Sequence, residues 1–220
     1  MGRKSSSIEY RKDLRVKILD VSVEMFREKG FRAVKMDDVA RHLCISKRTL
    51  YEIYPNKEDL VFEAIRKGVV RMHEQLKQRI FDGGDTMDVL IEYFKMRIEE
   101  AERINPAIID DVRAYPKIKE FFEQYKQENS NISVEFLRRG QMEGYFRNDV
   151  NINIVSYIYR AISDSMSISQ FHKQFPLTEL LRVLVVIFAR GLCTPAGMAR
   201  IDEMLDSWEL KTNEITGLKD

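Results

Sequence analysis

The sequence predicts an all-α protein in two parts, a helix-turn-helix three-helix head at the N-terminus and a helical body behind it. Three observations predict this. The stretch 34–60, Val34-Lys-Met-Asp-Asp-Val-Ala-Arg-His-Leu-Cys-Ile-Ser-Lys-Arg-Thr-Leu-Tyr-Glu-Ile-Tyr-Pro-Asn-Lys-Glu-Asp-Leu60, packs three short helical patterns close together. The five prolines (Pro55, Pro106, Pro116, Pro176, Pro195) each fall near an element boundary, where the missing N–H is tolerated. No stretch sustains the apolar/polar alternation that a half-buried strand requires, and no internal repeat is visible.

The elements follow in order. A first helix spans 8–28, with Leu14, Ile18, Val21, Met25 and Phe26 at helical spacing, and Gly30 supplies the left-handed residue that ends it. Residues 36–43 form the next, with Met36, Val39, Ala40 and Leu43 on one face. Only Cys44 and Ile45 separate it from a helix over 47–54, which is enough for a sharp helix-turn-helix corner and nothing else. Ser46 can cap that helix by accepting from an orphan N–H. Asn56, with Asp59 three residues on, reads as a capping box that starts a helix over 57–80. The loop Asp82-Gly83-Gly84-Asp85 introduces a helix over 84–103, and two more cover 106–114 and 117–140. A helix at 152–169 carries Ile154, Tyr157, Ile158, Ala161, Ile162, Ser165 and Met166 on one broad side. Another at 176–192 is apolar around much of its circumference, so it needs cover on more than one side. Two readings of it stay open: a central core helix, or a core helix that also meets a partner subunit. An amphipathic helix over 195–210, with Trp208 near its end, closes the chain.

At 220 residues and 44% apolar composition the chain can bury a substantial core. Its net charge is only +1, but the distribution is uneven. Residues 1–60 hold 14 Lys and Arg against 10 Asp and Glu, while residues 61–220 hold 22 against 25. A basic front on a mildly acidic body suits a head that meets nucleic acid and a carrier that does not. Cys44 and Cys193 lie far apart with no paired spacing, which suggests free thiols in a reducing compartment. The N-terminus is polar, and the longest apolar run, Val183 to Ala189, is too short to cross a bilayer. A cytoplasmic protein without membrane contact is expected.

The middle helix of the head carries polar side chains that its own domain does not need. Buried through Leu50 and Ile53, it leaves Lys47, Arg48, Thr49 and Tyr51 facing out, as a recognition helix in a DNA major groove would. Lysine and arginine can read guanine O6 and N7, and a threonine methyl can meet a thymine methyl. The bland reading, an ordinary solvated face, would serve for any one of these residues alone.

The head resembles the N-terminal domain of the TetR family of bacterial transcriptional regulators. The matching residues are Ile18-Leu19, Phe26, Lys29-Gly30-Phe31, Val39-Ala40, Ile45-Ser46-Lys47, Thr49-Leu50-Tyr51, Tyr54, Asn56-Lys57-Glu58 and Leu60. The resemblance implies that Lys47, Arg48 and Thr49 stand where side chains reach base edges, with the capping Ser46 beside them among the DNA-binding residues. It implies that Tyr51 and Tyr54 contact phosphates or thymine methyls, and that Lys57 holds the DNA backbone. Tyr54 has a second reading, in which its ring packs against the first helix. Four positions depart from the family pattern: Lys35 replaces a capping threonine, Cys44 the turn glycine, Arg48 a small residue, and Ile53 an aromatic residue or histidine. Beyond the head the body resembles the family only in being helical and of the right length.

In the body, aromatics and methionines recur at helical spacing. Phe94, Tyr115, Phe122, Tyr125, Tyr159 and Met166 are the candidates for lining a pocket for a small apolar or amphipathic effector. Core packing explains any one of them better when taken alone; as a set they suggest a pocket. Ile154, Ile158, Ile162, Leu181, Val185 and Phe188 are the candidate dimer interface, on the excess apolar surface of the two long helices. His42, His73 and His172 have no metal-ligand spacing with each other or with either cysteine, and no catalytic motif stands out, so neither metal, cofactor nor enzymatic activity is expected. The reading is therefore a DNA-binding domain over 1–56 and an effector-binding and dimerisation domain over 57–220. It describes a ligand-responsive repressor that binds double-stranded DNA at a palindromic operator as a homodimer. The alternative is a helical ligand-binding or protein-interaction module whose head has lost DNA binding.

Overall fold

The computed structural model describes residues 2–112, 114–168 and 170–216; side chains are described from Ile8 to Asp206, except 81, 113, 130 and 163–171. The elements are α1 (Gly2–Lys29), α2 (Met36–His42), α3 (Lys47–Ile53), α4 (Lys57–Phe81), α5 (Thr86–Arg103), α6 (Ala107–Val112), α7 (Pro116–Glu128), α8 (Ser130–Met142), α9 (Ile152–Ile168), α10 (Leu177–Leu184), a π-helical turn (Val185–Ala189), α11 (Arg190–Leu192) and α12 (Pro195–Thr216). Among the described residues β pairing is confined to one isolated bridge, Phe146 with Cys193. The all-α expectation stands.

The chain divides into two compact units: residues 1–74 with 103–127, and residues 75–102 with 128–220. Helix α4 contributes its first part to one unit and its last part to the other. The segment 103–127, which holds α6 and most of α7, folds with the head.

In the first unit α1 buries Leu14, Ile18, Ser22 and Phe26, a stripe one turn apart, while Val21 and Met25 flank it half-buried. Ser22 is tolerated in this apolar row because its hydroxyl donates to the Ile18 carbonyl at 2.7 Å. Gly30 ends the helix at φ +81°, its N–H returning to the Phe26 carbonyl. These side chains pack with Phe31, Val34, Val39, Ala40, Leu50, Leu60 and Val61 into one core, and Ile108 of α6 and Ile118 of α7 belong to it. Lys35 has no side-chain oxygen to cap α2, and Asp38 supplies the other half of the device by accepting from the Lys35 N–H at 3.0 Å.

One expected helix is broken. The span predicted as continuous over 117–140 divides at Asn129 into α7 and α8. Asn129 and Asn131 are of a residue type poor in helix interiors, and helical spacing of the apolar residues on either side conceals the break.

In the second unit α5 is started by Asp85, whose carboxylate accepts from the N–H groups of Met87 (2.8 Å) and Asp88 (3.2 Å). Met87, Phe94, Ile98, Phe146, Leu181, Val185, Ala189, Ile201 and Met204 form this unit's core. Gly140 lets the Phe146 ring lie against α8, since a Cβ there would run into that ring. No helix among the described residues is long and apolar enough to cross a membrane.

Candidate nucleic-acid interface

Helix α3 is built as the sequence predicts. The Ser46 hydroxyl accepts from the Thr49 N–H at 3.0 Å, and the two hydroxyls are 2.8 Å apart. Ile45 is held to Ala40 through its N–H at 3.0 Å, closing the corner after α2. Cys44 sits in this corner at φ +54°, the left-handed conformation that the family's glycine would adopt without strain. Asn56 accepts from the Asp59 N–H at 2.8 Å and donates its own amide to the Asp59 carboxylate at 2.8 Å, a side-chain variant of the expected capping box.

Leu50 is fully buried and Ile53 half-buried, so α3 is anchored by one face. Lys47, Arg48 and Tyr51 project from the other, and Thr49 lies half-buried between. Tyr51 keeps 45% of its surface exposed.

Tyr54 does not join them. It is the residue after α3, in extended conformation, and it turns its ring inward until only 1% is exposed. Its hydroxyl donates to Glu63 at 3.0 Å, and the Arg15 guanidinium lies 4.6 Å above the ring centre. Burial, then the Glu63 carboxylate, raises its pKa. The expected DNA contact at Tyr54 is corrected: a ring with no free surface has none to give a phosphate, and the residue supports the head from within.

Lys57, at the first position of α4, is half-buried with its ammonium 3.4 Å from the Arg32 carbonyl. Burial lowers its pKa, against the opposing pull of Asp111 and Asp38. Arg32 is held in turn by Asp111 of α6, whose side chain is 5% exposed. That carboxylate accepts from the Arg32 backbone N–H (3.0 Å) and from its Nε (2.9 Å). Sequence reasoning missed this link, because nothing local joins residues 79 positions apart.

It also missed the carboxylates of the outward face. Asp37 pairs with Lys47, and Glu52 accepts from Arg48 Nε at 3.0 Å and from Arg11 of α1 at 3.4 Å. The Arg48–Glu52 spacing of four was legible as a helical ion pair; the other two pairs were not.

The body candidates are distributed as follows. Tyr115, Phe122 and Tyr125 belong to the first unit, where Tyr115 meets Phe31 edge-on at 6.2 Å and Tyr125 meets His73 at 5.1 Å. Phe94 and Tyr159 belong to the second, with Phe94 buried and the Tyr159 hydroxyl 3.1 Å from that of Tyr93. Met166 lies outside the described side chains. Of the interface candidates, Ile154 and Ile158 are exposed, and Ile162 and Phe188 are half-buried, Phe188 against the Tyr159 ring. Leu181 and Val185 are corrected to core residues: Val185 is wholly buried, because positions 181, 185 and 189 share the inward face. The apolar residues left outside on this stretch are Val183, Val186 and Ile187, the last 64% exposed. Among the described residues no group of three or more His, Cys, Asp or Glu is placed to hold a metal ion.

Comparison with known proteins bears on the same residues. The profile described as bacterial regulatory proteins of the tetR family matches residues 18–64. The repressor KstR2 of Mycobacterium tuberculosis is 26% identical over 172 residues, covering 74% of this chain and 84% of that one. In fold, the chain is similar to a transcriptional regulator from Saccharomonospora viridis solved in complex with choline (TM-score 0.65, 18% identity, 83% of this chain and 99% of that one). It is also similar to the fatty acid degradation regulator FadR from Bacillus halodurans (TM-score 0.57, 16% identity, 79% of this chain and 93% of that one). The profile lies on the capped α2–α3 corner, and the sequence likeness to a repressor continues well beyond it; residues 18–64 match the TetR family's regulatory-protein model, and the chain as a whole is similar to regulators of that kind.

Proposed function

We propose that this chain is a ligand-responsive transcriptional repressor that binds a palindromic operator as a homodimer, in the cytoplasm, without enzymatic turnover. One observation carries the reading: α3 is capped and anchored by Leu50, and it presents Lys47, Arg48 and Tyr51 outward with no partner in the core. One such helix reads only a few base pairs, and a two-fold dimer doubles the contacts at half-sites about one helical turn apart. Lys57 adds a phosphate contact at the start of α4, where free N–H groups already favour anions. The dimer surface is assigned to Ile154, Tyr157 and Ile158 of α9 and to Val183, Val186 and Ile187, which are apolar and exposed in the protomer.

The functional division is a reading head, 1–56, and a responding body, 57–220, sharing α4. The effector is a small apolar or amphipathic molecule; KstR2, described as a ketosteroid transcriptional regulator, supports this class, whereas the choline bound by the Saccharomonospora protein is a small polar cation. Its message would reach the head through α6 and α7. Asn105 binds the Arg27 and Glu28 carbonyls at 2.8 and 3.0 Å, Asp111 holds Arg32, and Lys117 pairs with Asp59 at 3.0 Å. An effector that shifts this segment changes operator affinity by its differential binding to the two states.

The test is selection of bound duplexes from a random pool by the full chain and by the Lys47→Ala/Tyr51→Ala double variant. The wild type is expected to enrich one palindrome and the variant none. A folded wild-type protein that enriches nothing at low salt would refute the reading in favour of a head that no longer reads DNA.

A further inference from the structure

We infer that Glu52, seconded by Asp37, sets the sequence specificity of the DNA-reading face by opposing its binding to any duplex that lacks the right base edges. The inference rests on the DNA-binding function proposed above.

The outward side of the head carries Arg11, Lys47 and Arg48, and each is engaged by a carboxylate on that same side. Lys47 pairs with Asp37, Arg48 with Glu52 at 3.0 Å, and Arg11 with Glu52 at 3.4 Å. Asp37 lies in the first turn of α2, where a carboxylate suits the helix N-terminus, but Glu52 has no such role, and both acids pair with largely exposed partners, which adds little to stability. Their effect is on the field of the face. Three cations are offset by two carboxylates, which leaves little of the attraction that drives sequence-independent binding to phosphates.

Glu52 stands one helical turn from Arg48 on the helix that would enter the groove. Any duplex repels a carboxylate fixed there. A correct site offsets that repulsion in two ways. A cytosine N4 amino group donates to the carboxylate, and a guanine O6/N7 edge accepts from the guanidinium that the carboxylate releases. A wrong site offers neither, so Glu52 discriminates by what it penalises. Arg11 extends the same control to α1, because it shares the carboxylate and is freed when Glu52 turns to a base.

The experiment is an anisotropy titration of the full chain with two duplexes, the one wild type enriches and a shuffled sequence of equal composition, over a range of salt. With Glu52→Gln, affinity for the shuffled duplex should rise about tenfold, as expected from removing a like charge at an interface. Affinity for the enriched duplex should change by less than about threefold, so that discrimination falls. The salt slope on shuffled DNA should steepen by about one per protomer as an arginine is released to phosphate. Glu52→Asp, which keeps the charge, should retain wild-type rejection of the shuffled duplex, and thermal unfolding reports that both variants are folded. Equal tightening on both duplexes would reduce Glu52 to general repulsion and overturn the inference. No change on either would show that Glu52 never approaches DNA, and would overturn it too. A wild type that enriches no duplex would overturn the DNA-binding function itself, a failure the wild-type arm reports alone.

Discussion

Among the described residues Cys44 is the one non-glycine residue with positive φ, and it sits in the corner between α2 and α3. Left-handed backbone costs an L-residue roughly 1–2 kcal/mol, part of which glycine returns through its greater freedom in the unfolded chain. Cys44→Gly is therefore expected to stabilise the protein by about 0.5–1 kcal/mol in urea unfolding, with operator affinity unchanged. Tyr51 and Tyr54 make a second test, three positions apart and opposite in role. Tyr54→Phe should cost about 0.5–1.5 kcal/mol of stability through the lost bond to Glu63 and leave DNA affinity alone. Tyr51→Ala should do the reverse, lowering operator affinity without moving the unfolding midpoint. The sequence shows two aromatics in a basic stretch and cannot separate them, because what divides them is the backbone turn after Ile53.

At the scale of elements, the caps were legible and the faces less so. Ser46, Asn56 and Gly30 act where their chemistry placed them, since a cap depends on neighbours in sequence. The break at Asn129 is local but concealed by the helical spacing on either side of it, and the inward turn of Val185 depends on packing that only the folded unit supplies. The π turn is a case in point: it is where apolar residues run unbroken from Val183 to Ala189, and periodicity gives no phase. Leu181→Ala should cost about 2–4 kcal/mol of protomer stability. Ile158→Glu with Ile187→Glu should instead yield folded monomers in analytical ultracentrifugation; dimers from that variant would remove these helices as the interface. The start of α5 carries a pH dependence. Burial would raise the Asp85 carboxyl, but the Tyr145 hydroxyl, the Asp88 and Met87 amides and Arg200 outweigh it and hold its pKa below the ordinary 3.8. A depressed folded value means stability present at neutral pH and lost as pH falls through 3.8 towards that value. Melting temperatures measured between pH 6 and pH 3 should fall more steeply for wild type than for Tyr145→Phe.

For the whole molecule, the fold class and the head were readable because a helix-turn-helix is local, with spacing and capping fixed within a few dozen residues. Which residues would line an effector pocket was not, because helical aromatics serve a core and a pocket with the same pattern. Linkage still makes a prediction there. An effector that weakens operator binding by some factor must itself be bound more weakly, by that factor, when the operator is present. Calorimetric titration of effector with and without the operator duplex checks this; equal affinities would mean that the bound molecule does not regulate. The folding of 103–127 with the head bears on how such proteins can be recombined. Ile108 and Ile118 complete the core beneath the DNA-reading helices, and Asp111 and Asn105 tie off the turn after α1. Residues 1–56 are therefore not a transplantable cassette. A chimera that takes them alone from one relative to another would inherit a mismatched floor, whereas one that carries α6 and α7 along would bring its foundation with it.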